Sequence, residues 1–276
     1  MSGERLEILP DPEACAHAAA ELIAGVLAEA AAARGSAHWA TTGGSTPAAI
    51  YRELAVAPHR DEVPWEHVHL WWGDERFVPA DHPQSNAHIA TSDLIGIGAL
   101  SGESGTGGSG ADVFGRREAG APIHPDHVHP IPTGAAIAAD EGPDWAAARY
   151  AEELAAAGPA VADGMPVFDL VIVGVGPDGH VLSVFPGSAT FDRGETVLGV
   201  PAPTHIEPHL PRVTLNPRAL GVARQIVVVA HGAAKAEMLA SVLGPDVDER
   251  RWPAQLARRE GATWFVDEAA ASALRR

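Results

Sequence analysis

The chain has 276 residues, 46% of them hydrophobic and 20% charged, which is ordinary for a globular protein able to bury a substantial core. Its formal net charge of -17 argues against nucleic acid or an anionic membrane as a partner, because both favour clustered positive charge. A single cysteine, Cys15, excludes an internal disulfide and a metal site built from several cysteines.

The sequence also predicts where the protein resides. No uninterrupted apolar run approaches the ~20 residues that a bilayer span needs, and the acidic first residues do not resemble a signal peptide. We therefore expect a cytoplasmic protein with no membrane partner. We also expect a single domain over residues 1–276, as a monomer or small homo-oligomer.

The first predicted elements are a helix, a strand and a glycine turn. An alanine-rich helix is expected over 12–33, with Asp11 as its N-cap, and a short strand over 38–42. The strand runs into Gly-Gly-Ser-Thr-Pro, where a hydroxyl residue is expected to cap a helix and helical periodicity returns. Such a turn offers backbone N–H groups to an anion, although an ordinary capped turn has the same sequence. The candidate anion-binding residues are Gly43, Gly44, Ser45 and Thr46.

The next segment contains a second strand and a flexible loop. The strand is predicted over 68–72 and ends at charged residues that include Arg76, and a helix follows near Ser85 or Asn86. Glycine and serine dominate the residues after it, so we expect a flexible surface loop at about 96–121. The histidines beyond this loop lie among prolines without helical spacing or a cysteine partner, so we predict no metal there. They are His124, His127 and His129.

The most informative segment is DLVIVGVGPDGHVLSVFPGS, at 169–188. An apolar, β-branched strand ends in a glycine turn that presents Asp178 and His180. Open α/β sheets bind ligands at the carboxyl ends of their strands. An imidazole beside a carboxylate is a plausible acid–base pair there, because the unperturbed pKa of histidine is roughly 6.5. The alternative is a loop in which Asp178 caps a helix and His180 is merely solvated.

The last third of the chain adds candidate cations. Arg212 begins a period-2 pattern that places it on one face with Thr214 and Asn216. A strand over 225–230 precedes a helix with Lys235, the only lysine beside 18 arginines, in its first turn. A cation there opposes the helix dipole, which favours an anion site. Strands alternating with helices throughout predict an α/β fold with a mostly parallel sheet and helices on both faces.

Together these segments resemble the 6-phosphogluconolactonase family. The matching motifs occur in the family's order over nearly the whole chain. They are TGGSTP at 42–47, WGDERFVP with HPQSN within 72–86, FDLVIVGVGPDGHVLSVFPG at 168–187, PRVTLN at 211–216, and the helix bearing Lys235. The chain departs from the family in the glycine–serine loop, and in Val181 and Leu182, where members often have small or hydroxyl residues.

The resemblance implies hydrolysis of 6-phospho-D-glucono-1,5-lactone to 6-phosphogluconate, the second step of the oxidative pentose phosphate pathway. It implies a Rossmann-like fold, no metal and no organic cofactor. His180 would be the general base on water, and Asp178 would orient the imidazole. Arg76, Arg212 and Lys235, with the backbone of 43–46, would hold the phosphate and the sugar.

Two other functions share this fold. A glucosamine-6-phosphate deaminase-like isomerase is expected to have asparagine before Gly-His and a Glu-Pro segment after it. This chain instead has Asp178 before Gly-His, and Phe185-Pro186 after it. A non-catalytic sugar-phosphate sensor is usually joined to a DNA-binding helix, and no basic recognition helix is visible.

Overall fold

The computed structural model describes residues 3–95 and 120–274. Within these residues the strands are β1 (Arg5–Leu9), β2 (Ala37–Thr41), β3 (Val68–Trp72), β4 (Asp74–Arg76), β5 (Val128–His129), β6 (Val161–Ala162), β7 (Met165–Pro166), β8 (Leu170–Gly174), β9 (Val197–Val200), β10 (Arg212–Leu215), β11 (Gln225–Ala230) and β12 (Ala262–Asp267). The helices are α1 (Pro12–Arg34), α2 (Ser45–Leu54), α3 (His59–Glu62), α4 (Asn86–Ala90), α5 (Thr133–Ala138), α6 (Pro143–Ala157), α7 (Arg218–Val222) and α8 (Ala236–Val242).

A seven-stranded sheet forms the centre of the molecule, in the order β1-β12-β11-β8-β2-β3-β5. All six pairs of neighbouring strands in it are parallel. The inner strands are apolar and buried, as expected for parallel strands covered by helices. The predicted α/β fold with a mostly parallel sheet is confirmed. Strands β1 and β12, at one edge, are not among the elements predicted from the sequence.

Helix α1 packs across β2, β8, β11 and β12. As predicted, Asp11 caps it: the carboxylate accepts a hydrogen bond of 2.8 Å from the Ala14 N–H. Gly35 ends it in the left-handed conformation, with φ of 81°. The helix is long and apolar enough to cross a membrane, but half of its most apolar stretch is buried in the protein. Cys15 is on the buried face, and burial raises the pKa of its thiol to about 11.

A second, antiparallel sheet in the order β4-β10-β9 lies beyond the end of β3. The pairing of β4 with β10 brings the segment after β3 next to Arg212. Arg76 is the register partner of Arg212, which lies 136 residues further along the chain. The predicted polar face of β10 is present but buried, with Arg212 4% exposed. Of the predicted loop at about 96–121, residues 96–119 lie outside the described residues, and Ala121 is buried.

Candidate active site

The carboxyl ends of β2, β3, β8 and β11 lie side by side in the central sheet, and each continues into one of the predicted site segments. β2 leads to the glycine turn, β3 to Arg76, β8 to the turn with Asp178 and His180, and β11 to Lys235. Because parallel strands end at the same edge, four segments that are distant in sequence meet there.

The turn after β8 holds His180 against Asp178. Nδ1 of His180 lies 2.5 Å from a carboxylate oxygen of Asp178, and the His180 N–H donates to the same oxygen at 3.2 Å. The side chains are 21% and 17% exposed, so the pair is partly shielded from water but open to a ligand. A Cβ on Gly176 would lie 2.1 Å from the His180 ring. Only glycine therefore lets the imidazole pack onto this backbone.

Asp178 has a second imidazole partner that the sequence interpretation missed. Nε2 of His205 lies 2.9 Å from the other carboxylate oxygen. Burial alone would raise the pKa of Asp178, but the hydrogen bonds and charge of His180 and the bond from His205 lower it well below its usual range. Asp178 is thus a stable carboxylate that orients one imidazole on each side. Phe185 contacts both rings.

Lys235 reaches the same turn from β11. Its ammonium donates a hydrogen bond of 2.5 Å to the carbonyl of Val175, the residue before Gly176. Burial lowers the pKa of Lys235. This hydrogen bond goes to a neutral carbonyl, so the positive charge is not paired by it and could bind an anionic ligand next to Asp178 and His180.

Arg76 and Arg212 face each other across the β4–β10 pair. Like charges directly opposite each other destabilise a sheet. The guanidinium groups donate to backbone carbonyls, Arg76 to Gln84 at 2.8 Å and Arg212 to Pro208 at 2.9 Å. Nε of Arg76 is buried without a hydrogen-bond partner. Burial, followed by the charge of Arg76, lowers the pKa of Arg212. Two adjacent guanidinium groups, one partly exposed and one buried, are an arrangement that a bound phosphate would stabilise.

The glycine turn differs in one detail from its prediction. Gly44 rather than a hydroxyl residue is the N-cap of α2, and no side chain caps the helix. The hydroxyl of Thr46 instead lies 2.7 Å from Nε2 of His231, at the end of β11. A Cβ on Gly43 would collide with Asn86, so the turn packs closely on the start of α4. Ser45 is exposed at the helix N-terminus.

Asp74 joins these segments, and the sequence interpretation gave it no role. Its carboxylate accepts from the hydroxyl of Thr42 at 3.0 Å, the hydroxyl of Ser183 at 2.7 Å and the side-chain amide of Asn86 at 3.2 Å. Thr42 precedes the glycine turn, and Ser183 follows His180. One buried carboxylate therefore fixes the glycine turn, α4 and the turn that bears His180 relative to one another.

The three histidines next to β5, His124, His127 and His129, are not part of this edge. His129 lies in β5 and stacks on Trp71, with ring centroids 3.8 Å apart. Its two ring nitrogens contact His69 at 3.0 Å and Glu153 at 2.7 Å. His127 stacks on His69, and His124 lies beside His127.

The fold and this edge define an α/β protein with an aspartate–histidine pair and basic side chains at the carboxyl edge of its parallel sheet. A family model described as glucosamine-6-phosphate isomerases/6-phosphogluconolactonase matches residues 10–265. The chain belongs to this family, so the resemblance noted in the sequence is confirmed.

Individual proteins similar to this chain are named 6-phosphogluconolactonase. The chain is 36% identical to the 6-phosphogluconolactonase of Streptomyces coelicolor, over 99% of this chain and 95% of the relative. It is 32% identical to that of Mycobacterium tuberculosis, over 98% of each. The solved structure of the 6-phosphogluconolactonase of Trypanosoma brucei superposes with a TM-score of 0.77 at 27% identity, over 100% of both chains.

Proposed function

We propose that this chain hydrolyses 6-phospho-D-glucono-1,5-lactone to 6-phospho-D-gluconate, with His180 as the general base. The relatives described above are named 6-phosphogluconolactonase, which supports this reaction over a deaminase-like isomerase or a non-catalytic sensor. The observation that carries the proposal is the Asp178–His180 pair in a turn whose Val175 carbonyl binds the Lys235 ammonium.

The first step is the activation of water. Asp178 holds Nδ1 of His180, so Nε2 is the nitrogen left to accept a proton from a water molecule. The water oxygen then attacks the lactone carbonyl carbon to form a tetrahedral intermediate. As this intermediate collapses, the ring C–O bond breaks and the His180 imidazolium returns its proton to the departing ring oxygen, which becomes a hydroxyl group of the product. A lactone is an activated ester, so one positioned base, worth ~10²–10⁴-fold, together with fixation of the substrate suffices without a covalent nucleophile.

Cations and backbone amides hold the substrate. Arg76, Arg212 and Lys235 provide three positive charges for a phosphate dianion, which the net charge of -17 would otherwise repel. The amides of the glycine turn lie at the N-terminus of α2, where an anion is favoured. The Gly176 N–H is occupied by the His180 carbonyl at 2.9 Å, so the amides of Gly43 and Gly44 are the better candidates for the developing oxyanion.

A coupled assay tests the proposal. The lactone is generated in place from glucose 6-phosphate, and formation of 6-phosphogluconate is compared with and without the protein. We expect formation well above the spontaneous rate. Binding of the sugar phosphate without acceleration would favour the sensor, and release of ammonia from glucosamine 6-phosphate would favour the isomerase. The cytoplasmic location and the monomeric or small homo-oligomeric state stay predictions, which fractionation and light scattering test.

A further inference from the structure

A second cluster of polar side chains lies on the outer helical layer, at the other end of α2 from the glycine turn. His17 comes from α1, Glu53 from the last turn of α2, and His59 is the first residue of α3. One nitrogen or oxygen of each lies within 4.8 Å of the others. Glu53 lies eight positions after Ser45 in α2, which is about 12 Å along the helix axis, so the cluster is separate from the candidate active site.

Within this cluster, His59 is the residue whose burial the fold leaves unexplained. Its side chain is 6% exposed, and both ring nitrogens are buried without a hydrogen-bond partner. The nearest carboxylate, of Glu62, lies 3.6 Å from Nδ1, which is too far for a good hydrogen bond. Burying an unsatisfied imidazole is costly, and buried polar side chains almost always have a partner. A group that binds one of these nitrogens would remove that cost.

The other two side chains can supply the remaining ligands. Nδ1 of His17 lies 3.2 Å from Oε2 of Glu53, a separation close to that of two ligands around one small cation. The rings of His17 and His59 have centroids 5.7 Å apart. His17 and Glu53 are 62% and 37% exposed, so they can adjust their rotamers to contract the cluster around an ion.

We propose that His17, Glu53 and His59 bind a zinc ion that joins α1, α2 and α3. Two imidazoles and one carboxylate are a ligand set typical of Zn²⁺, whereas Mg²⁺ and Ca²⁺ prefer oxygen ligands alone. Glu62 or a water molecule completes four-coordination, and a carboxylate beside a bound imidazole also fixes its orientation. The ion's role is structural, because the cluster is remote from the Asp178–His180 pair.

The test uses the full chain without an affinity tag, stripped of metal and dialysed against Zn²⁺. We expect one tightly bound zinc per chain, and a thermal unfolding midpoint that rises with Zn²⁺ but not with Mg²⁺. His17→Ala and Glu53→Gln each alter a partly exposed ligand without opening the core. Each variant should weaken zinc binding by at least ~10-fold, the loss typical even of residues that only support a metal ligand.

Two controls locate the site among the other histidines. His67 is 53% exposed and outside the cluster, so His67→Ala should bind zinc like the unaltered chain. His127→Ala tests the other group of histidines. Zinc affinity unchanged in both His17→Ala and Glu53→Gln, loss of zinc only in His127→Ala, or no tight zinc at all would each overturn the proposal. Lactone hydrolysis is measured in parallel, and it should not depend on zinc in any of these variants.

Discussion

Two groups of histidines lie around the central sheet, one in the loops beyond its carboxyl edge and one on its strands, and they differ in what surrounds them. At the carboxyl edge, His180 and His205 each face an oxygen of one carboxylate, Asp178. Nearer the amino ends of the strands, His38, His69 and neighbouring rings stack on one another. The first arrangement gives each imidazole a fixed hydrogen-bond partner, whereas burial in the second opposes a protonated ring. The surroundings, rather than the residue type, decide which imidazole can move a proton.

In the stacked group, burial and neighbouring imidazoles lower the pKa values of the histidines. His69 is the register partner of His38, and its Nδ1 lies within hydrogen-bond distance, 3.0 Å, of Nε2 of His129. Burial, followed by the charges that His127, His38 and His129 would carry, lowers the pKa of His69 to about 3. Burial also lowers the pKa of His38. Such rings remain neutral near pH 7 and serve as packed, hydrogen-bonded core.

Replacing His180 should produce the largest effect. His180→Ala removes the general base and should lower kcat for lactone hydrolysis by at least ~10²-fold, with the fold intact. His69→Gln, in the stacked group, should leave turnover per folded molecule nearly unchanged. Steady-state rates corrected for spontaneous hydrolysis, with circular dichroism to verify folding, make the comparison. Equal losses in both variants would contradict the assignment of the base.

Lys235 should affect binding more than chemistry. Lys235→Ala removes a charge that acts on the phosphate in the ground state and the transition state alike, so KM should rise by about 10-fold or more while kcat changes little. Lys235→Met retains most of the packed side chain and should behave similarly, which separates lost charge from lost packing. If KM stays constant while turnover disappears, the role assigned to Lys235 is wrong.

The stacked group predicts how stability depends on pH. In the unfolded chain His69 takes up a proton below about pH 6.5, but in the folded chain only near 3. The unfolded state therefore binds more protons between these values, and stability falls as pH falls through this window. The size of this loss of stability depends on His38, His127 and His129, whose charges act on His69, and on Glu153, which contacts His129.

His69→Gln removes this titrating group. The variant should be somewhat less stable than the unaltered chain at about pH 7.5, because the bond to His129 is altered, but should lose less stability on acidification to about pH 5. Denaturant unfolding at the two pH values measures the difference. A loss equal to that of the unaltered chain would show that other groups dominate acid unfolding.

The sequence predicted the strands that position the site because each one is a compact apolar run ending in glycine or charged residues. It also gave Lys235 as a candidate anion ligand, since a lone lysine at the start of a helix has no structural benefit from the dipole. The positions of Asp178 and His180 followed from the end of β8. These signals are local, and a single sequence displays local signals well.

The residues that were missed act over long separations. Asp74 bonds Ser183 across 109 residues, and His205 bonds Asp178 from a proline-rich loop without periodicity. β4 has only three residues, too few for a pattern that would predict its pairing with β10. No periodicity in the sequence encodes which loops meet above the sheet, because that depends on strand order.

His205 permits a finer test of the carboxylate-bound group. The bond from Nε2 of His205 draws part of the negative charge of Asp178 away from His180. In His205→Ala that charge acts on His180 alone and favours its protonated form, which cannot accept a proton from water. The acidic limb of the pH profile of kcat/KM should therefore move to higher pH. On the plateau of the profile, kcat/KM should fall by less than ~10-fold.

His209→Ala is the matched control for this variant. His209 lies in the same loop, but its ring nitrogens contact the Pro203 carbonyl at 2.7 Å and Glu207 at 3.3 Å instead of Asp178. Its replacement should leave the acidic limb in place even if the loop loosens and KM rises. A limb that stays fixed in His205→Ala, or that moves equally in both variants, would show that His205 only supports the loop. A shift confined to His205→Ala would show that the second imidazole sets the pH range in which His180 is a base.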